Sequence, residues 1–482
     1  MRWSKPSCAG RLATRTDLDL VVALEPGQDV VDPGDQQGRS GDCSSGAAHG
    51  RLACRSDNAG FRNLKAFVMN PFPAPLDLFP PTRSAALARL VDFVPRAGRA
   101  YAAERNADPG PGFKPNVSML SPYLRHRILT EREVIAAVLE QHSPNQAEKF
   151  IQEVFWRTYW KGWLQMRPQV WRDFLAERDA DRERVKANSG LTRALAEAES
   201  GRTGIECFDD WARELVATGY LHNHTRMWFA SIWIFTLKLP WALGADFFLR
   251  HLLDADPASN TLSWRWVAGI QTAGKTYLAR PDNIEKSTQG RYRPTGLAEH
   301  AEPIRHEAPY ARESLKTLHG LPAGQPVLLL VHGDDLSASA LPGAGLDVRG
   351  ALVIGGGHVR APWPFGDKAR AFVQAAAADL SEALRKGLQA DVMTLENLDA
   401  EMLCRQARAA GVQSIITSEA PIGPLADGLE HLAPELGQAG IQLYHVRNAW
   451  DSRAWPHAAK GFFPFKKNIL VLLEQAGFRC PA

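Results

Sequence analysis

Cysteine is scarce in this 482-residue chain, and the few present follow no paired pattern. Cys8, Cys43, Cys54, Cys207, Cys404 and Cys480 form no Cys-x-x-Cys and no metal-ligand spacing, which excludes a disulfide framework and a zinc module and leaves reduced thiols. Charge of one sign is also lacking. The formal net charge is only +3, so nothing in the bulk balance demands a nucleic-acid partner, although basic groups gathered on one face would serve one. Long apolar runs are missing too. The most apolar stretch, Met227 to Leu243, is short of a full span and is broken by Lys238 and Pro240; a buried helix is expected there, not a membrane segment. The first residues hold no apolar core of the secretory kind, and the expectation is a cytoplasmic protein.

Tryptophan, in contrast, is abundant. Of 14 tryptophans, those from Trp156 to Trp266 crowd into the middle of the chain, which marks that region as the largest core or the seat of the chemistry. At this length two or three domains are expected. Residues 1–68 are rich in Gly, Asp, Arg and Ser and lack sustained patterning, so they read as disordered or as a non-native extension ahead of Met69. From Thr82 to about Leu253 apolar residues recur at helical spacing, as in Val134, Ile135, Val138 and Leu139, so an all-helical domain is expected over 69–295. A proline-containing linker is expected over 296–325. Over 326–482 short apolar runs, such as Pro326–Val331 and Val412–Thr417, alternate with helical stretches; this predicts a parallel sheet covered on both faces. The Gly355-Gly356-Gly357 run lacks dinucleotide-site spacing and is a weak phosphate-loop signal.

Four segments combine residues that suit chemistry. Ser118-Met-Leu-Ser121-Pro precedes a helical pattern, where the hydroxyls could cap the helix or form an anion site. Glu153, Trp156, Arg157 and Trp160 stand at i, i+3, i+4 and i+7 and share one helical face. That face suits stacking of a flat ring with hydrogen bonds to its edge, or a half-buried helix with an internal ion pair. Asn223, Arg226 and Met227 share a face in the same way, and an Asn offers both a donor and an acceptor. His222 and His224 at i, i+2 make poor ligand geometry, so no metal is expected. Asp254, Asp256, Asn260, Trp264 and Trp266 fall within one short stretch, and Arg226 is a natural partner for a buried Asp254.

Taken in order, these motifs resemble the FAD-binding domain of DNA photolyases and cryptochromes over about residues 85–295. The resemblance implies an all-helical FAD-binding domain followed by a Rossmann-like parallel α/β domain, the reverse of the usual family order. Leu328 to Leu336 is similar to the opening strand and loop of the family's α/β domain, and Phe462-Phe-Pro-Phe465 to the segment that leads out of it. The resemblance implies that Tyr101, Ser118 and Ser121 hold the FAD phosphates and ribitol. It implies that Arg226 and Asp254 pair against the flavin ring, that Asp256 and Arg157 lie near its polar parts, and that Asn260 faces N5. Glu153, Trp156, Asn223, Met227 and Trp266 match the set that grips a flipped-out cyclobutane pyrimidine dimer. Met227 stands where relatives acting on (6-4) photoproducts usually carry histidine. Trp264 and Trp241 match the first two members of an electron-transfer chain, whose distal place falls near Asn188. Val117, Phe150, Thr261-Leu-Ser263 and the loop from Gly269 to Tyr277 depart from the family pattern.

The expected activity is therefore light-driven splitting of cyclobutane dimers in double- or single-stranded DNA by a monomeric deoxyribodipyrimidine photo-lyase. FAD is the implied cofactor, with room for a second, light-harvesting chromophore of unassigned identity. Arg125, Arg127, Lys161 and Arg265 are candidates for a basic rim facing DNA. The alternatives are a cryptochrome-type blue-light receptor without repair and a redox flavoprotein without a DNA substrate.

Overall fold

The computed structural model describes residues 72–110, 115–305, 309–322, 324–337, 346–357, 364–388 and 390–479. The N-terminal stretch expected to be disordered lies outside them. The described residues belong to one compact unit. Every regular element described between residues 75 and 287 is helical. Those that shape the site are α1 (Ser121–Arg125), α2 (Glu148–Gln165), α3 (Gln169–Lys186), α4 (Asn223–Ser231), α5 (Trp241–His251) and α6 (Pro257–Val267).

Buried residues run almost continuously through α2 from Phe150 to Leu164, so this helix lies inside the fold instead of showing one wet face. Its buried Glu153, Arg157, Thr158 and Lys161 must then find partners within the protein. Helix α6 begins where Asp256 accepts a hydrogen bond from Ser259 N at 2.9 Å and Pro257 takes the first turn. Both are ordinary start signals, since the proline has no N–H to leave unpaired. The apolar run after Met227 does not form one long helix. Helix α4 passes into a π-helical turn over Ile232–Thr236 before the chain breaks at Pro240. No helix among the described residues is long and apolar enough to cross a membrane.

The remainder builds a five-stranded parallel sheet in the order β3-β2-β1-β4-β5. Its strands are β1 (Pro326–His332), β2 (Asp347–Ile354), β3 (Asp391–Leu395), β4 (Ser414–Ser418) and β5 (Gln442–Val446). Along β1, Val327, Leu329 and Val331 join the core shared with the helical region, while Leu328 and Leu330 join a second core. That second core includes Leu403 of α8 (Ala400–Ala409) and Leu429 and Leu432 of α9 (Pro424–Gln438). On the first face lies α7 (Asp367–Gly387), with Phe372 and Ala376 buried in the shared core. Period-2 alternation with both faces buried is what a covered parallel sheet requires. The glycines after β2 serve packing. A Cβ on Gly355 would sit 2.8 Å from the Gln374 Cα, and one on Gly356 would sit 2.1 Å from the Glu396 carbonyl oxygen.

Two short C-terminal helices, α10 (Ala449–Ala454) and α11 (Phe462–Lys466), return the chain to α2. Trp450 stacks on Phe155 at 4.8 Å, and Phe462 on Trp156 at 3.6 Å with 12° between the rings. Trp455 lies so close to Gly162 that a Cβ there would fall 2.7 Å from its Cδ1. Arg127 reaches Asp335 at 3.2 Å and Asp451 at 2.5 Å. The sheet region is thus fixed to the helices by aromatic stacking and by buried ion pairs.

Candidate functional site

A cleft opens among α2, α4, α5 and α6, walled by Arg157, Asn223, Arg226, Asp254, Asp256, Asn260 and Trp264 among others. Its charged residues come from three directions. Asp254, on the turn after α5, pairs with Arg226 of α4 at 2.9 Å and with Arg157 of α2 at 3.8 Å. Burial alone would raise the Asp254 pKa; the two guanidiniums outweigh it and hold the carboxyl below its ordinary value. Asp256 stands 3.5 Å from Arg157 and 4.0 Å from Lys161. There too burial works upward, and Arg157, Lys161 and Arg125 prevail and lower the pKa. Both carboxylates are therefore fixed negative charges inside the protein.

The neutral walls are equally constrained. Asn260 donates its amide N–H to Ala245 O at 2.8 Å, which fixes its orientation. The Trp264 ring meets Trp233 edge-on at 6.2 Å and Phe248 at 5.1 Å. It lies directly over Gly244, where a Cβ would fall 2.3 Å from the indole; only glycine permits that approach. Trp241, one helical turn before Gly244 on the same face of α5, is buried and donates its Nε1 proton to Glu177 Oε1 at 2.7 Å.

Arg157, Asn223, Arg226, Asp254, Asp256, Asn260 and Trp264 are thus gathered around one cleft. Tyr101, Ser118, Ser121, Glu153, Trp156, Met227 and Trp266 are not in its wall. Tyr101 packs edge-on against Phe93 and Phe150 at 5.8 and 5.2 Å. Neither serine caps α1. The capping position belongs to Leu120, whose N–H bonds back to Ser118 Oγ at 3.3 Å, while Ser121 lies within the helix and helps to lower the Asp254 pKa. Asn223 opens α4 at the cleft and Met227 follows one turn later. Trp266, half-buried, packs on Tyr277 at 5.5 Å, and the Tyr277 hydroxyl meets His224 Nε2 at 3.3 Å. Glu153 and Trp156 are both buried. Arg105 binds the carboxylate at 2.6 Å, and Phe462 covers the indole.

The expected basic rim needs correction. Arg125, Arg127, Lys161 and Arg265 are only 2–3% exposed. Arg125 pairs with Asp334 at 2.6 Å, Arg127 with Asp335 and Asp451, and Arg265 lies over the Tyr310 ring at 5.2 Å. The sheet region and the chain leading to it cover these cations, so they cannot meet DNA. Sequence reasoning also missed Arg105, Glu177 and the packing of Phe462 on Trp156, which join residues 48, 64 and about three hundred positions apart. No periodic signal spans such separations.

The cleft suits a polar ligand. Arg157 Nε, Trp264 Nε1 and Ser259 Oγ are buried on its walls and have no hydrogen-bond partner among the described residues, a state that native interiors rarely leave unanswered. A family model described as the FAD binding domain of DNA photolyase matches residues 150–304, which take in the whole cleft. These residues form a photolyase-type FAD-binding domain. The chain is 32% identical over 200 residues to a deoxyribodipyrimidine photo-lyase of Agrobacterium fabrum, covering 40% of this chain and 39% of that one. It is 35% identical over 208 residues to the deoxyribodipyrimidine photo-lyase of Thermus thermophilus, covering 42% and 46%. The chain therefore spans less than half the length of these relatives. Among solved structures, a bacterial class III photolyase from Agrobacterium tumefaciens overlaps 45% of this chain and 44% of its own, at 29% identity and a TM-score of 0.38. FAD is the cofactor of this FAD-binding domain.

Proposed function

We propose that this chain is a light-driven lyase that splits cyclobutane pyrimidine dimers in single- or double-stranded DNA. The observation that carries the reading is the convergence of Arg226, Asp254, Arg157, Asp256, Asn260 and Trp264 on one cleft within the FAD-binding domain. When bound, reduced FAD excited by light supplies one electron to the dimer and receives it back after the bonds break. The protein has to hold, orient and shield. Arg157 and Arg226 would meet the anionic and carbonyl parts of the cofactor, with Asp254 and Asp256 fixing both guanidiniums in place. Asn260, oriented by Ala245 O, would face the ring edge. Tyr101, Ser118 and Ser121 would complete the phosphate and ribitol end.

A flipped-out lesion needs aromatic walls and edge hydrogen bonds. Asn223 at the cleft mouth, Met227 beside it and Trp266 on α6 would supply them, with Glu153 and Trp156 joining once Arg105 and Phe462 give way. We read residues 69–295 as the catalytic domain, 296–325 as a linker and 326–482 as the counterpart of the family's α/β domain, moved to the other end of the chain. The parallel strand order and the return of Phe462-Phe-Pro-Phe465 to α2 support that permutation. A second chromophore is part of this reading, without assigned residues.

The test is to illuminate the purified protein, with its flavin reduced, on DNA containing cyclobutane dimers. Loss of dimers in light and not in darkness is expected; intact dimers after prolonged illumination refute repair. One observation favours a receptor instead: Trp156 lies under Phe462, and Glu153 is held by Arg105. Under that second reading the flavin photoreduces while dimers survive.

A further inference from the structure

We propose that Glu177 is the proton acceptor that traps an electron vacancy on Trp241 during photoreduction of the flavin. The inference rests on flavin being bound at the cleft, as argued above. Trp264 is the indole in the cleft wall, and indoles are among the side chains most easily oxidised. One further tryptophan touches it and another lies one helical turn from the glycine it packs on. Trp233 lies edge-on at 6.2 Å, and Trp241 is one turn from Gly244, which carries the Trp264 ring. A vacancy that reaches either one is lost again unless something makes the return slow. Proton loss from the indole does so, because a neutral indolyl radical is a weaker oxidant than its cation.

The three indole N–H groups differ in where a proton could go. Trp264 Nε1 has no hydrogen-bond partner among the described residues. Trp233 Nε1 donates to the Pro240 carbonyl at 2.9 Å, and an amide oxygen is too weak a base to keep a proton. Trp241 Nε1 donates to the Glu177 carboxylate at 2.7 Å, a base already aligned with the proton it would take. The indole is buried, but Glu177 on α3 is exposed, so the proton can leave to solvent. Desolvation raises the Glu177 pKa, the Trp241 hydrogen bond and the Arg265 and Arg184 charges lower it, and Asp181 raises it; the balance is upward, which strengthens the base. Trp171 offers a similar pair with Asp427 at 3.1 Å. Phe174 separates it from Trp241, with ring distances of 5.7 and 5.4 Å, and is much harder to oxidise. Trp241 is the first indole reached that has a base.

One electron passes from Trp264 to the light-excited oxidised flavin, and one from Trp241 refills Trp264. The Trp241 cation then loses its Nε1 proton to Glu177 Oε1, leaving a neutral indolyl radical and a carboxylic acid. A thiol reductant in the medium later returns an electron to Trp241, and a proton returns to its nitrogen.

The test follows indole radicals by transient absorption after a flash, in the full chain with oxidised flavin. Wild-type protein should convert radical cation into neutral radical, more slowly in D2O. Glu177→Gln keeps an oxygen for the indole N–H but cannot hold the proton; the cation should persist, recombine faster and leave several-fold less reduced flavin under steady light. Glu177→Asp should restore part of the yield, Trp241→Phe should abolish the neutral radical, and Trp171→Phe should behave as wild type. Flavin content and far-UV circular dichroism report whether each variant folds, and the isotope effect in wild type needs no variant. Identical traces for wild type and Glu177→Gln, or full photoreduction in Trp241→Phe, overturn the proposal while leaving the flavin site intact. Wild-type protein without bound flavin overturns the flavin reading as well.

Discussion

Asp254 is the residue on which the cleft turns, because two guanidiniums from different helices converge on it. Asp254→Asn keeps the shape and removes the charge, leaving Arg157 and Arg226 to repel one another in a buried place. Breaking a buried pair in this way costs about 3–5 kcal/mol. The pH dependence has a definite sign. The folded pKa of Asp254 is depressed, so the stability its charge contributes is present above the ordinary carboxylate range and is lost as pH falls through the folded value. Chemical denaturation at neutral pH should therefore show the full deficit for Asp254→Asn, together with loss of bound flavin. As pH falls below the folded pKa, wild type loses the same charge and the two curves should converge. A gap that persists unchanged into strong acid would mean that the charge is not what matters.

At the scale of elements, α11 shows how a short helix can be decisive. It has five residues, too few to be stable alone. It is held because Phe462 lies flat on Trp156 while Phe465 is buried beside Phe155 and Tyr159. Phe462→Ala should cost about 3–5 kcal/mol, as large-to-small changes of buried aromatics do. It should leave flavin bound, because Phe462 is not in the cleft wall. Denaturant titration with flavin content as a second readout checks both, and an unchanged midpoint would show that the stack does not stabilise the fold. The same element marks the limit of what sequence discloses. Glu153, Trp156 and Arg157 were legible as one helical face because i, i+3 and i+4 fix direction within a helix. The strands were legible because alternation and β-branched runs persist over five or more residues. What lies on top of that helical face depends on a partner about three hundred residues away. Hence Arg125, Arg127 and Lys161 looked like surface cations when they are interior ones. The π-helical turn at Ile232–Thr236 was equally hidden, since its apolar residues fit an α-helix as well.

At the scale of the whole molecule, the helical and sheet regions share one core and one set of buried charges, which predicts that the helical region does not stand alone. Consider a fragment of residues 69–305. It would lose Trp450 from Phe155 and Phe462 from Trp156, both stacked and buried. It would strip Arg125 of Asp334, and Arg127 of Asp335 and Asp451. Each buried charge left without its partner costs about 3–5 kcal/mol, and each lost aromatic contact adds to that. A whole domain is stable by only about 5–15 kcal/mol. Water reaching the newly exposed arginines would recover part of the ionic cost, but not the apolar surface opened on α2. The fragment should therefore aggregate or fail to retain flavin. Co-expression with residues 309–482 as a separate chain should restore a soluble yellow complex, because the lost contacts are non-covalent. Size-exclusion chromatography with absorbance at the flavin band distinguishes these outcomes. A monomeric, flavin-bound fragment that unfolds cooperatively on its own would show that the shared core is dispensable and that the helical region folds without the sheet region.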